Sequence, residues 1–126
     1  MKQIIVSDLL KKELPVFYKT FRTTLKDYKV TEISQTNDIW CRDFMPVKRN
    51  DGEYVLFNYD PSYLKPKWQH KLTPRKNIIS ICKELNIEFI DGIGLKLDGG
   101  NVVSGFGKTI ITDVVFKENT VSNNPS

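Results

Sequence analysis

Thr36-Asn37-Asp38-Ile39-Trp40-Cys41-Arg42-Asp43-Phe44-Met45-Pro46 crowds an indole, a thiol and three ionic side chains into the six positions from Asp38 to Asp43. Purely structural segments seldom need that mixture. Downstream, Leu97-Asp98-Gly99-Gly100-Asn101 sets a carboxylate before two residues without a Cβ, which let the backbone turn sharply or approach a ligand closely. A planar, permanently charged, forked guanidinium is recognised best by carboxylates in its plane and an aromatic face above it. Asp43, Asp98 and Trp40 supply those parts, and Asp38 and Asn101 lie in the same two stretches. Simpler accounts exist for each. Asp43 could pair with Arg42 or a lysine, Asp98 could cap its turn, and Trp40 could be a core residue.

What sets the simpler accounts back is a repeat. Lys2 to Ser7 reads as a strand, Ser7-Asp8 as a cap for Leu9 to Glu13, and Pro15 as the first position of a helix carrying Phe17, Phe21 and Leu25, ending near Lys26-Asp27. Val30 to Ile33 alternates as a strand, and the Trp40 stretch reads as a loop into a strand over Phe44 to Lys48. Asn50-Asp51-Gly52 signals a hairpin, with Tyr54 to Tyr59 returning. Asp60-Pro61-Ser62 breaks the sheet, and a loop runs to Thr73.

Thr73 then reads as the cap of a helix that opens at Pro74 and presents Ile78, Ile81, Cys82 and Leu85 on one face. Ile87 to Ile90 alternates as a strand, Asp91 to Gly100 reads as a glycine-rich loop, Asn101 to Ser104 as a strand, Gly105-Phe106-Gly107 as a turn and Lys108 to Thr112 as its partner. Both halves therefore run helix, strand, acid-bearing loop, strand, glycine turn, strand. Pro15 answers Pro74 at 59 residues, Asp43 answers Asp98 at 55 and Leu56-Phe57 answers Ile110-Ile111 at 54. The expected fold is α/β, built of two αβββ repeats over about 1–60 and 72–119, with a polar tail at 120–126. Two such units alone leave sheet edges open to a second copy.

Composition narrows the function. A chain of 126 residues, 40% hydrophobic and 27% charged, is one globular domain's worth of material. No run reaches a membrane span, and the apolar block at the start is too short for a secretory signal, so a soluble, cytoplasmic protein is expected. Two cysteines and one histidine, without metal-ligand spacing, predict neither a disulfide framework nor a metal, and no cofactor is expected. The net charge of +4 is spread along the chain. Only Lys65 to Lys76, with Trp68, hints at a basic aromatic patch, and it reads as a solvated loop rather than a nucleic-acid interface.

The stretches Asp38 to Pro46, Leu97 to Val103 and Thr112 to Asn119 together resemble the agmatine deiminase and bacterial-type peptidylarginine deiminase family. The resemblance implies a pentein-type α/β propeller of five such repeats, of which this chain would hold the amino-terminal two. It implies that Asp43 binds the substrate guanidinium. Asp98 falls where many members have Glu before Gly-Gly, one methylene longer. The family's cysteine nucleophile attacks the guanidinium carbon and its histidine moves the protons; both belong to later repeats. His70, followed by Lys71-Leu72, does not match the family's His-x-Asp motif, Cys41 does not match the nucleophile, and Cys82 reads as core packing. The expectation is a guanidinium-binding part that does not hydrolyse agmatine or an arginine side chain alone. The alternative is a non-catalytic module that captures an arginine-like group or pairs its open strands with another chain.

Overall fold

The β-branched run at the start forms β1 (Gln3–Ser7) in the computed structural model, which describes residues 2–119. The chain passes through α1 (Leu9–Glu13) and α2 (Pro15–Thr24) into β2 (Lys29–Ile33), which pairs parallel with β1. Pro15 opens α2 as its spacing predicts, where its missing N–H is no loss. The serine of the Ser7-Asp8 pair does the capping: its buried Oγ accepts the Leu9 N–H at 3.1 Å and meets the Thr36 hydroxyl. The Tyr18 hydroxyl donates to Glu32 at 2.7 Å and ties α2 to β2.

After Trp40 comes α3 (Cys41–Phe44), a single helical turn, then β3 (Val47–Lys48) and its hairpin partner β4 (Tyr54–Asn58). The strand expected over Phe44 to Lys48 shrinks to its last two residues. Phe44 turns into the core, and Pro46 has no N–H to give a ladder. Asn50-Asp51-Gly52 makes the predicted hairpin turn, with Gly52 at φ 89°.

Two 3-10 turns, Ser62–Leu64 and Gln69–Lys71, shape the loop before α4 (Arg75–Glu84). Thr73 is not its cap. Pro74 holds that position, while the buried Thr73 hydroxyl accepts the Asn37 N–H at 3.0 Å. Helix α4 stops in a Schellman motif: Asn86 takes φ 56°, its N–H reaches the Lys83 carbonyl, and the Ile87 N–H reaches the Cys82 carbonyl at 2.8 Å. Ile87 belongs to that stop, so of the strand expected at Ile87 to Ile90 only Ile90 enters β5 (Ile90–Lys96), which otherwise runs where a glycine loop was expected. Gly92 is a close-packing residue rather than a loop signal, since a Cβ there would sit 2.8 Å from Val55 Cγ1.

Strand β5 runs parallel to β4, completing a sheet in the order β3-β4-β5. The register slips after Phe57, and the Arg75 guanidinium fills the gap, donating to the Leu56 and Phe57 carbonyls at 3.1 and 2.8 Å and to Asp91 at 2.7 Å. A 3-10 turn, Gly99–Asn101, leads to the hairpin of β6 (Val102–Gly105) and β7 (Lys108–Ile111). Unanticipated, α5 (Val114–Glu118) follows. The polar tail expected at 120–126 lies outside the described residues.

The main core gathers Ile33, Phe44, Leu56, Tyr59 and Leu64 around Ile78, Ile81 and Cys82 of α4. Full burial of such side chains contributes roughly 1.5–3 kcal/mol each. Cys82 is thus a packing residue, as expected. A smaller cluster of Val47, Leu97 and Val102 joins β3 to the Asp98 loop. In both halves the acid-bearing segment leaves the second strand of a parallel pair and enters an antiparallel hairpin.

Candidate functional site

Two turns, 55 residues apart in sequence, meet back to back. A Cβ on Gly99 would overlap the Arg42 carbonyl oxygen, and one on Gly100 would overlap the Asp43 Oδ1. Only glycine permits this approach, which answers why Asp98 is followed by two of them. The Arg42 guanidinium crosses the contact and donates to the Val102 carbonyl at 2.9 Å.

Asp43 therefore faces the Gly100 N–H rather than Arg42. Burial pushes its carboxyl above the ordinary value, with the charge of Asp38 adding to the rise and the Gly100 N–H and Arg42 opposing it. Asp98 is pushed further, up to about 6, by burial first and then by the charges of Asp43 and Glu118. Asp38 is buried, and its Oδ1 accepts the Ile39 N–H at 2.8 Å. Among the described residues no lysine or arginine lies within ion-pair distance of Asp38, Asp43 or Asp98, whereas Asp51, Asp91 and Asp113 each have one and Asp60 has two. Among the described residues the three acids thus lie outside any ion pair, with only the charge of Arg42 offsetting Asp43.

Trp40, at the head of α3, leaves 62% of its surface exposed. Asn101 sits half-buried in the Asp98 turn, its N–H bonded to the Asp98 carbonyl at 3.0 Å and its carbonyl to the Thr112 N–H at 3.3 Å. Sequence reasoning passed over Tyr59 and Tyr63. Their hydroxyls stand 3.5 Å apart, and burial raises both above the ordinary value, Tyr59 well above it, with the charges of Asp43 and Asp98 adding to the rise. The signal available was their spacing of four on either side of Asp60-Pro61, which folds back on the site once β4 ends.

Among the described residues no cysteine thiolate accompanies the acids. The Cys41 thiol is buried and pushed up to about 11, mainly by desolvation, and burial raises Cys82 as well. His70 packs beside Trp68 at 6.0 Å between ring centroids, in the loop where it was expected. Trp68 already carries two of its own lysines, Lys67 and Lys71, over its ring. Beside Asp98 and Asn101 the surface leaves a crevice of only about 10 Å³, bounded by Pro61, Val115 and Glu118. A roomier apolar cavity of about 420 Å³, walled by Val47, Phe57, Leu97, Val102 and Ile111, contains none of the three carboxylates.

No family model and no curated protein matches this chain. Among solved structures, an X-ray structure described as a "putative agmatine deiminase" matches over 94% of this chain and 34% of its own, at 20% identity and a TM-score of 0.52. The chain thus spans about a third of that protein's length. The likeness shows a mixed α/β chain that follows part of that structure's fold. No helix among the described residues is long and apolar enough to cross a membrane.

Proposed function

We propose that this chain provides the guanidinium-binding wall of an agmatine deiminase-like hydrolase, an enzyme that cleaves a C–N bond of a guanidino group. Asp43 and Asp98 accept the N–H groups of the cation, Asp38 adds negative charge behind them, and Trp40 offers an aromatic face. Asn101 lies on the same rim. The observation that carries this reading is that Asp43 lies against the Asp98 turn, near enough for its charge to act on Asp98, with neither acid in an ion pair among the described residues. The likeness in fold supports it from a second side.

The described residues offer no cysteine thiolate beside a histidine, so binding is separated from hydrolysis. The isolated chain binds agmatine, or an arginine side chain, and releases no ammonia from it. Isothermal calorimetry with agmatine tests the first clause; heat of binding that survives Asp43→Asn and Asp98→Asn together refutes it. Ammonia release by the pure protein refutes the second.

A second reading is favoured by the β6–β7 hairpin, where Val103, Phe106 and Ile110 stand exposed. On it, the chain is an interaction module whose open strands pair with a second copy. A monomeric mass in light scattering at high protein concentration removes that reading and leaves the first untouched.

A further inference from the structure

Arg42 lies next to Asp43 and is the natural candidate to neutralise it, yet its guanidinium is committed elsewhere. Its Nη2 donates to the Val102 carbonyl, and its own carbonyl lies against Gly99. One residue therefore grips the Gly99–Asn101 turn at both ends, by main chain at the start and by side chain just past the finish. Between those grips Gly100 rests on Asp43, and immediately before them stands Asp98. The far end is firm, because Val102 is buried with Val47 and Leu97. We propose that Arg42 is a positioning residue: its bond to the Val102 carbonyl holds the Asp98 turn against Asp43 and fixes the spacing that a guanidinium ligand spans.

The ligand clause rests on the guanidinium reading above; the grip does not. A hydrogen bond from a charged donor to a carbonyl suits the task, being stronger and more directional than a neutral one. Without it a half-buried carbonyl loses its partner, and the turn, which carries two glycines, has little intrinsic stiffness to hold Asp98 in place.

The experiment follows the Asp98 side-chain carboxyl by carbon-13 NMR across a pH titration, in wild type, Arg42→Met and Arg42→Lys. Arg42 acts on Asp98 only through Asp43, whose charge it offsets, so the titration is repeated in an Asp43→Asn background, where a change at Asp98 reports the position of the turn rather than the loss of a nearby cation. The expected result is a midpoint near 6 in wild type, a fall toward the ordinary carboxylate range in Arg42→Met, and partial return in Arg42→Lys. An unmoved Asp98 midpoint in folded Arg42→Met overturns the proposal. Should Arg42→Met fail to fold, proton exchange at the wild-type Arg42 guanidinium decides: slow exchange supports the bond, and exchange as fast as at the exposed Arg22 overturns it. Agmatine calorimetry on the same proteins is a separate arm, with affinity expected to weaken about tenfold in Arg42→Met. If wild type binds no agmatine, the guanidinium reading fails while the Asp98 titration still judges the grip.

Discussion

The Asp43 carboxylate and the Gly100 main chain sit so close that a single methyl group on Gly100 would collide with Oδ1. Gly99 stands equally close to the Arg42 carbonyl, but the two obstacles differ in kind. A carboxylate at the end of a side chain can swing aside; a main-chain carbonyl cannot. Gly99→Ala is therefore expected to destabilise the protein by about 3 kcal/mol or more, and Gly100→Ala by about 1 kcal/mol, with agmatine binding lost in the milder variant because Asp43 is displaced. Urea unfolding together with calorimetry checks both; equal stability losses would contradict the distinction.

The pH dependence of stability follows from the raised carboxyls. A carboxyl whose folded value lies above its unfolded one, about 3.9 for Asp, binds more protons in the folded state between the two. Asp98, at about 6 when folded, should thus stabilise the fold most fully below about pH 4 and lose that contribution as pH climbs through about 6, and Asp43, also raised, acts in the same direction. Agmatine affinity should move oppositely, rising over the same window as the acids ionise. Asp98→Asn should flatten both slopes. Denaturant melts from pH 4 to 8 measure the first, and a stability that instead rises steadily with pH in this window would contradict it.

Arg75 is expected to matter for the fold and not for the site. Its guanidinium serves two carbonyls left at the slip between β4 and β5, so Arg75→Met should cost about 1–3 kcal/mol while agmatine affinity stays within twofold of wild type. A variant as stable as wild type would show that water satisfies those carbonyls equally well.

Phe44 links core and site, for it closes the α3 turn that carries Asp43 and packs on Tyr59 at 5.9 Å between centroids. Phe44→Ala should cost about 3–5 kcal/mol, whereas Phe44→Leu should keep most of the stability. Thermal melts by circular dichroism separate the two outcomes.

The order of elements was legible because periodicity and punctuation agreed: Pro15 opens a helix, Gly52 turns a hairpin, and α4 buries Ile78, Ile81 and Cys82 as their spacing requires. The misreadings share a cause, namely residues whose local meaning was reversed by a distant neighbour. Gly92 signals a loop until Val55 is seen against it, Thr73 signals a cap until Asn37 claims its hydroxyl, and Ile87 signals a strand until it closes a helix. At the site, Asp43 and Asp98 could be paired from the repeat alone. The tyrosines were harder to find, because their spacing of four around Asp60-Pro61 does not by itself say that the chain after β4 folds back toward the acids.

Strand β5 ends under an unusual guard. The Asn119 side-chain amide accepts the Lys96 N–H and donates to the Lys96 carbonyl, both at 3.0 Å, reproducing with one side chain the two bonds a neighbouring strand would make. Asn119 is buried there, and its amide is held further by the Val115 carbonyl at 2.7 Å. Another chain seeking to extend this sheet finds its last rung already taken, so strand addition at this edge must halt short of Lys96. The stretch leading into Asp98 is thereby kept in register, and the acid turn is shielded from being drawn into a growing sheet.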